Sequence, residues 1–235
     1  MDRIRDFLVA MVLFTAVVVT PVSAHPDNDG LHRLTTSVGD VAFEVVGQLT
    51  NFPPSSPGQP ATSQQYGYLS TVNGLNADLV FNTAIPSLQN ETTARFTFFT
   101  DAITERVISN GRLRIVNRTG TTTIYFDETS GGDFGNRDTF RDGLPILRMN
   151  YRQQVILDTG EANPSVSGSG TFTVMNLLTV TDVSGFEIGG ERYQIGRQKD
   201  QFRQFYSGVP PTSAPPSGVF AGYTVAIDRS QSDKD

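Results

Sequence analysis

The chain has 235 residues, of which 37% are apolar and 18% are charged, with no cysteine and no tryptophan. This length and apolar content are typical of one globular domain, and all-β barrels or sandwiches commonly reach this size. The absence of cysteine excludes disulfide scaffolds, Cys-ligated metals and thiol catalysis. The net charge of −6 argues against nonspecific binding to nucleic acids or anionic membranes, because both need a basic surface.

The first 24 residues have the pattern of a secretory signal peptide. Arg3 and Arg5 precede an apolar run at 7–19, and Ala24 ends a small-residue cleavage site. The run is shorter than the roughly 20 residues that a membrane-spanning helix needs. We therefore expect residues 1–24 to be removed from an exported protein, secreted or periplasmic, with no membrane span and a mature chain that starts at His25.

Composition along the mature chain predicts one folded domain with short polar flanks. Residues 25–33 are polar and contain proline and glycine, so they are expected to form a flexible leader. The domain is expected at 34–228, and the polar tail at 229–235 is expected to be disordered.

Runs of β-forming residues between turn signals predict roughly nine to eleven strands and few helices. The runs lie at 41–46, 66–72, 79–81, 94–99, 106–108, 112–116, 121–126, 147–157, 171–181, 186–188, 191–193, 202–206 and 219–227. Asn73-Gly74, Asn110-Gly111 and Gly189-Gly190 are predicted hairpin turns. No connection holds a crossover helix, so all pairings are predicted to be antiparallel. A single antiparallel barrel is the preferred fold because closure removes exposed strand edges, and a β-sandwich is the alternative.

The run at 147–157 alternates between two chemically different faces. Leu147, Met149 and Tyr151 share one face, whereas Arg148 and Arg152 share the other. If the polar face pointed into a barrel, it would line a cavity for an anionic or oxygenated ligand with a tyrosine nearby. Arg148, Tyr151 and Arg152 are therefore the candidate ligand-binding residues. The alternative is a polar face that is simply solvated.

Catalytic and metal-binding patterns are weak in this chain. The two histidines, His25 and His32, both precede the main strands, so no Ser-His-Asp triad is predicted. A mature N-terminal His25 resembles the copper brace of lytic polysaccharide monooxygenases, which implies a copper ligand, and an ordinary leader histidine is the alternative. The acidic loop from Asp127 to Asp138 offers oxygen ligands for calcium but lacks EF-hand spacing. No catalytic residue and no cofactor are predicted.

The exported antiparallel design with a glycine-rich, tryptophan-free core resembles barrels of the calycin, dirigent and allene-oxide-cyclase-like kinds. The predicted function is non-catalytic binding of a small apolar or amphipathic molecule inside the barrel. One alternative is a cavity-based isomerase or cyclase of the allene-oxide-cyclase or dirigent kind. Another is an extracellular surface interaction protein that uses the proline-rich loops at 51–64 and 209–217. An inward arginine row beside a cavity favours a ligand or cyclase chemistry, whereas a filled interior favours the interaction protein.

Overall fold

The computed structural model describes residues 30–158, 171–209 and 217–228. The predicted signal peptide, His25 and the polar tail lie outside these residues. The strands are β1 (Leu31–Leu34), β2 (Val41–Phe52), β3 (Thr62–Val72), β4 (Phe96–Asn110), β5 (Leu113–Phe126), β6 (Leu144–Asp158), β7 (Phe172–Val183), β8 (Phe186–Ile188), β9 (Glu191–Ile195), β10 (Gln201–Val209) and β11 (Gly218–Asp228). Within the described ranges, helical residues are confined to α1 (Ala77–Val80) and to two 3₁₀ turns at Pro86–Leu88 and Arg137–Arg141.

Eight of the strands form a closed antiparallel barrel, as the sequence predicts. Their order around the wall is β10-β11-β2-β3-β4-β5-β6-β7, and every neighbouring pair is antiparallel. Closure into one barrel replaces the alternative β-sandwich. The proline-rich loop between β2 and β3 is shorter than predicted, because both strands extend into the range 51–64.

The other three strands form a small sheet, in the order β1-β9-β8, against one end of the barrel. The ring of Phe186 in β8 lies 5.4 Å from the ring of Phe96 and 4.9 Å from that of Phe126. Tyr193 stacks on Phe186 from β9. We call this the capped end of the barrel, because these aromatic contacts bury the sheet against the barrel core.

The structure corrects two predictions near the N-terminal part of the domain. Residues 31–33, expected in a flexible leader, belong to β1, where Leu31 and Leu34 are buried. The expectation that all pairings are antiparallel is wrong at this strand, since β1 pairs with β9 in parallel. A four-residue strand carries too little alternation to be recognised, and its partner lies far along the chain.

The predicted hairpin after Asn73-Gly74 is also wrong. The turn itself forms, with Gly74 at φ 88°. However, the carbonyl oxygen of Asn76 then accepts hydrogen bonds from the backbone N–H groups of Leu79 and Val80, so that the helical turn α1 replaces a strand. Phe81 keeps a single bridge to Ala94. Buried Val80 and Phe81 anchor this segment to the core, and tertiary burial therefore overrides the strand signal at 79–81.

Two other predicted hairpins form. The Gly189-Gly190 turn between β8 and β9 is confirmed, with φ 61° and 85°. Between β4 and β5 the turn is one residue later than predicted, because Asn110 still pairs with Leu113 and the turn residues are Gly111, at φ 58°, and Arg112. These positive values are accessible to glycine without steric cost. The turns match the right-handed twist of the strands that they join.

Glycines on the inner wall let large aromatic side chains fill the barrel. Gly222 of β11 lies directly across from Tyr206 of β10. A Cβ atom at Gly222 would stand 2.0 Å from the carbonyl oxygen of Phe205 and 2.4 Å from Cβ of Tyr206. Gly120 faces Tyr151 in the same way, across the β5–β6 pair. The close approach of the strands at these positions therefore requires glycine.

We expect Gly222→Ala to lower the free energy of unfolding by about 2 to 3 kcal/mol, because overpacking forces backbone shifts in a filled interior. Chemical denaturation with a fixed m-value measures this change. The matched control is Ala221→Ser on the exposed outer face of the same strand, which should change stability by less than about 0.5 kcal/mol. Equal stabilities for the two variants would contradict the packing argument.

Candidate functional site

The half of the barrel interior nearest the capped end is mostly apolar and is filled. A cavity between this half and the polar half measures about 10 Å³, close to the smallest space that admits one water molecule. Most of its lining is apolar, and its polar lining residues are Gln65, Thr100, Thr122 and Gln204. Among the described residues, this half therefore has no room for a bulky apolar ligand.

The other half of the interior holds a connected set of buried polar side chains, which we call the polar chamber: Gln65, Arg118, Tyr151, Gln153 and Tyr206. The hydroxyl of Tyr206 donates to Oε1 of Gln65 at 2.5 Å and accepts from Nε2 of Gln153 at 2.6 Å. Nε2 of Gln65 donates to the hydroxyl of Tyr151 at 2.7 Å. All five side chains come from inward positions on neighbouring or facing strands, so barrel closure brings them together.

Arg118 is the one charged member of the polar chamber, and it is only 9% exposed. Its Nη1 donates to Oε1 of Gln153 at 3.0 Å, its Nη2 to Oδ1 of Asn51 at 2.9 Å, and its Nε to Oγ1 of Thr104 at 3.4 Å. All three acceptors are neutral, and no described carboxylate forms an ion pair with it. Because a guanidinium has five N–H donors, two of them remain for another acceptor.

Burial lowers the pKa of Arg118, and the nearby charge of Arg114 acts in the same direction. An arginine nevertheless keeps its proton in proteins. The polar chamber therefore contains a positive charge that has been removed from water without a negative partner among the described residues. Such a charge attracts an anion strongly, since the low local dielectric screens it poorly.

Two further polar atoms in this half are buried without a partner among the described residues: Oγ of Ser63 and Oδ1 of Asn176. Both side chains are fully buried. Ser63 lies across from Asn51 in the β2–β3 pair, and Asn51 is a direct acceptor of the Arg118 guanidinium. An unmade buried hydrogen bond costs about 1–3 kcal/mol. This half of the interior therefore offers hydrogen-bonding groups that a bound molecule can use.

The two tyrosines of the polar chamber are neutral across the physiological pH range. Burial raises the pKa of Tyr206 to about 12 and raises that of Tyr151 well above its ordinary value. Efficient general acid–base groups have pKa values near the working pH. These hydroxyls are therefore suited to hydrogen bonding with a ligand rather than to proton transfer.

The structure separates the three ligand-binding residues proposed from the sequence. Tyr151 points into the barrel and is 2% exposed, whereas Arg148 and Arg152 lie on the solvent-exposed outer face of β6. The alternation between the two faces is as predicted, but the polar face is the outer one. The interior cation is Arg118, which sequence analysis missed. It stands beside Asn117 and Thr119, so no contrast in polarity marks it as an inward residue.

Arg152 instead lines a groove of about 540 Å³ on the outside of the barrel wall. Arg106 of β4 and Arg203 of β10 line the same groove, together with Met175 and Leu177 of β7. We call it the arginine groove. Most of its lining comes from outward positions, but Arg118, Gln153 and Asn176 also line it, so the groove adjoins the polar chamber.

The acidic loop from Asp127 to Asp138 uses its carboxylates in local contacts. Asp127 accepts hydrogen bonds from the backbone and hydroxyl of Thr129. Asp133 accepts one from the backbone N–H of Gly135, and Asp138 pairs with Arg141. Within the described part of the chain, no group of three His, Cys, Asp or Glu side chains is placed to hold a metal ion.

This loop and the 3₁₀ turn Arg137–Arg141 that continues it cover part of the outer wall with aromatic side chains. Phe134 and Phe140 pack on Tyr66, with ring centroids at 6.3 and 5.5 Å. Phe140 is completely buried, and Phe99 belongs to the same cluster. The loop therefore has a packing role on the barrel exterior.

The chain matches no protein-family model, no curated protein and no solved structure. None of the helices within residues 30–158, 171–209 and 217–228 is both long and apolar enough to span a membrane. The chemistry of the polar chamber and of the arginine groove therefore provides the basis for assigning a function.

The raised pKa of Tyr206 predicts a loss of stability at alkaline pH. The folded state keeps its proton up to about pH 12, whereas an unfolded tyrosine loses it near pH 10. Between these values the free energy of unfolding should fall by about 1.4 kcal/mol per pH unit for this residue. Denaturation of Tyr206→Phe at several pH values should show a correspondingly smaller slope. Tyr223→Phe, at an exposed tyrosine, should leave the slope unchanged, and equal slopes for all three proteins would contradict the assignment.

Proposed function

We propose that this protein is an exported, non-catalytic binding protein that holds a small anionic amphipathic molecule in the polar chamber of its barrel. The observation that supports the proposal is the buried guanidinium of Arg118, which has only neutral acceptors among the described residues. A carboxylate or similar oxyanion supplies the missing negative charge. Charge-assisted hydrogen bonds of this kind are about twice as strong as neutral ones.

The neutral groups of the polar chamber provide orientation for such a ligand. The hydroxyls of Tyr151 and Tyr206 stay protonated, and the amides of Gln65 and Gln153 hold them in place. Oγ of Ser63 adds a group that can donate to the oxyanion. A few polar groups at fixed positions are typical of small-molecule sites.

The apolar part of the ligand extends away from the capped end, because the apolar half of the interior is already filled. On that side of Arg118, half-buried Val116 and Val155 face each other across the β5–β6 pair, and Leu157 follows. Val155 and Leu157 pack against the core cluster. Exposed Arg114 stands nearby. This arrangement favours a short amphipathic molecule over the bulkier ligand of a wide, empty barrel.

The isomerase or cyclase alternative receives less support from this geometry. The tyrosines of the polar chamber have pKa values too high for proton transfer near neutral pH. The interaction-protein alternative is favoured by the filled apolar half and by the arginine groove, and it requires a partner on the outer wall.

We expect straight-chain carboxylates from butyrate to octanoate to bind the protein, and the matching alcohols and amines to bind much more weakly. Isothermal titration calorimetry and native mass spectrometry of the mature protein measure this difference. Arg118→Met should weaken carboxylate binding at least about tenfold, which is about 1.4 kcal/mol. Arg118→Lys should restore part of the affinity, because it retains the charge.

The control for this experiment is Arg148→Gln, which removes an exposed arginine from the outer face of β6 outside the arginine groove and should leave carboxylate affinity unchanged. Thermal unfolding of each variant verifies that the barrel is folded. Carboxylate binding that is equal in Arg118→Met and in the unchanged protein would overturn the proposal. So would the absence of binding by any carboxylate together with a mass free of retained small molecules.

A further inference from the structure

The arginine groove combines three cations with an apolar floor. Arg152, Leu177 and Arg203 form one row across β6, β7 and β10. Strands in a sheet are about 4.8 Å apart, so the Cα atoms of the two arginines are about 10 Å apart. Met175 lies two residues along β7 from Leu177 and is 44% exposed. Because Arg152 and Arg203 lie on the two strands next to β7, positive charge borders the apolar floor on both sides. Arg106 of β4 adds a third arginine to the lining.

These arginines carry an unbalanced charge. Arg106, Arg152 and Arg203 are all exposed, and none of them forms an ion pair with a described residue. Glu105 is the one acidic residue that lines the groove, and its carboxylate accepts a hydrogen bond from Thr119 at 2.9 Å. The groove therefore has a net positive charge on a chain whose total charge is −6.

We infer that the arginine groove is a docking site for an extended acidic peptide segment of a partner protein, with apolar side chains placed between its carboxylates. Guanidinium groups bind carboxylates through paired hydrogen bonds. Side chains on one face of an extended peptide are about 6.8 Å apart. An acidic, apolar and acidic residue at alternate positions can therefore place its central side chain over Met175 and Leu177 while its carboxylates reach the flanking arginines.

The apolar floor distinguishes this partner from other polyanions. A sulfated polysaccharide has charge but no apolar side chains to cover Met175, and an anionic membrane presents a flat surface rather than a segment that enters a groove. The groove volume of about 540 Å³ accommodates several side chains of a peptide. Charge complementarity and apolar contact together therefore favour the peptide.

The test uses a fluorescein-labelled peptide of sequence Glu-Ser-Leu-Ser-Glu-Ser-Leu-Ser-Glu and fluorescence polarisation with the full-length mature protein. We expect saturable binding that weakens as salt is raised, because exposed charge pairs are screened. The double variant Arg152→Gln/Arg203→Gln should weaken binding at least tenfold. Replacing both leucines of the peptide by serine should also weaken it severalfold.

Two control variants give this experiment its specificity. Arg148→Gln removes an exposed arginine from the same strand outside the groove and should leave peptide affinity unchanged. Tyr206→Phe alters the polar chamber at a residue that does not line the groove and should also leave peptide affinity unchanged, so the two proposals fail independently. Thermal unfolding verifies that each variant is folded.

Three outcomes would overturn the inference. The first is equal peptide affinity for the double variant and the unchanged protein. The second is equal affinity for the peptides with and without leucine. The third is tighter binding of heparin, or of vesicles containing phosphatidylserine, through the same arginines, which would assign the groove to a polysaccharide or to a membrane surface.

Discussion

The width of a closed eight-stranded barrel is the constraint on which the rest of this structure depends. Eight strands enclose a space just wide enough for side chains to fill or for one small ligand. Inward glycines such as Gly120 and Gly222 create local room, and Tyr151 and Tyr206 occupy it. Each inward side chain therefore either packs in the interior or stays available for contact with a ligand. The apolar residues near the capped end complete the packing, whereas the polar residues near the other end leave hydrogen-bonding groups available.

The polar chamber illustrates how a barrel accommodates a buried cation. The guanidinium of Arg118 is removed from water and donates hydrogen bonds to neutral acceptors on three different strands. Neutral acceptors satisfy hydrogen-bond geometry but do not neutralise charge, and the energetic cost of a buried charge depends on that neutralisation. The surrounding tyrosines and glutamines hold one another by short hydrogen bonds, so the positions of the donors are organised before any ligand arrives. Such preorganisation reduces the entropy cost of binding.

The barrel and most of its strands can be predicted from the sequence, because long alternating runs depend on local chemistry. The same alternation separates Tyr151 from Arg148 and Arg152 by face. It does not decide which face is inward, since a polar lumen and a polar exterior produce the same alternation in a single strand. Arg118 was missed because its neighbours are polar too. Its role depends on Asn51 and Gln153, which closure brings to it from distant parts of the chain.

The seam of the barrel joins the first and last strands of its wall, since Val41 of β2 pairs with Val225 of β11. The small sheet has a similar dependence, because β1 needs β9. Contacts between such distant residues make folding slow, because a long loop must close before they form. A chain that emerges from a ribosome or a translocation pore therefore has no complete barrel until its final strand is free. Until then the unpaired edges of β2 and β10 can pair with strands of other molecules. The pairing of β11 with both of them therefore ends the exposure of these edges to aggregation.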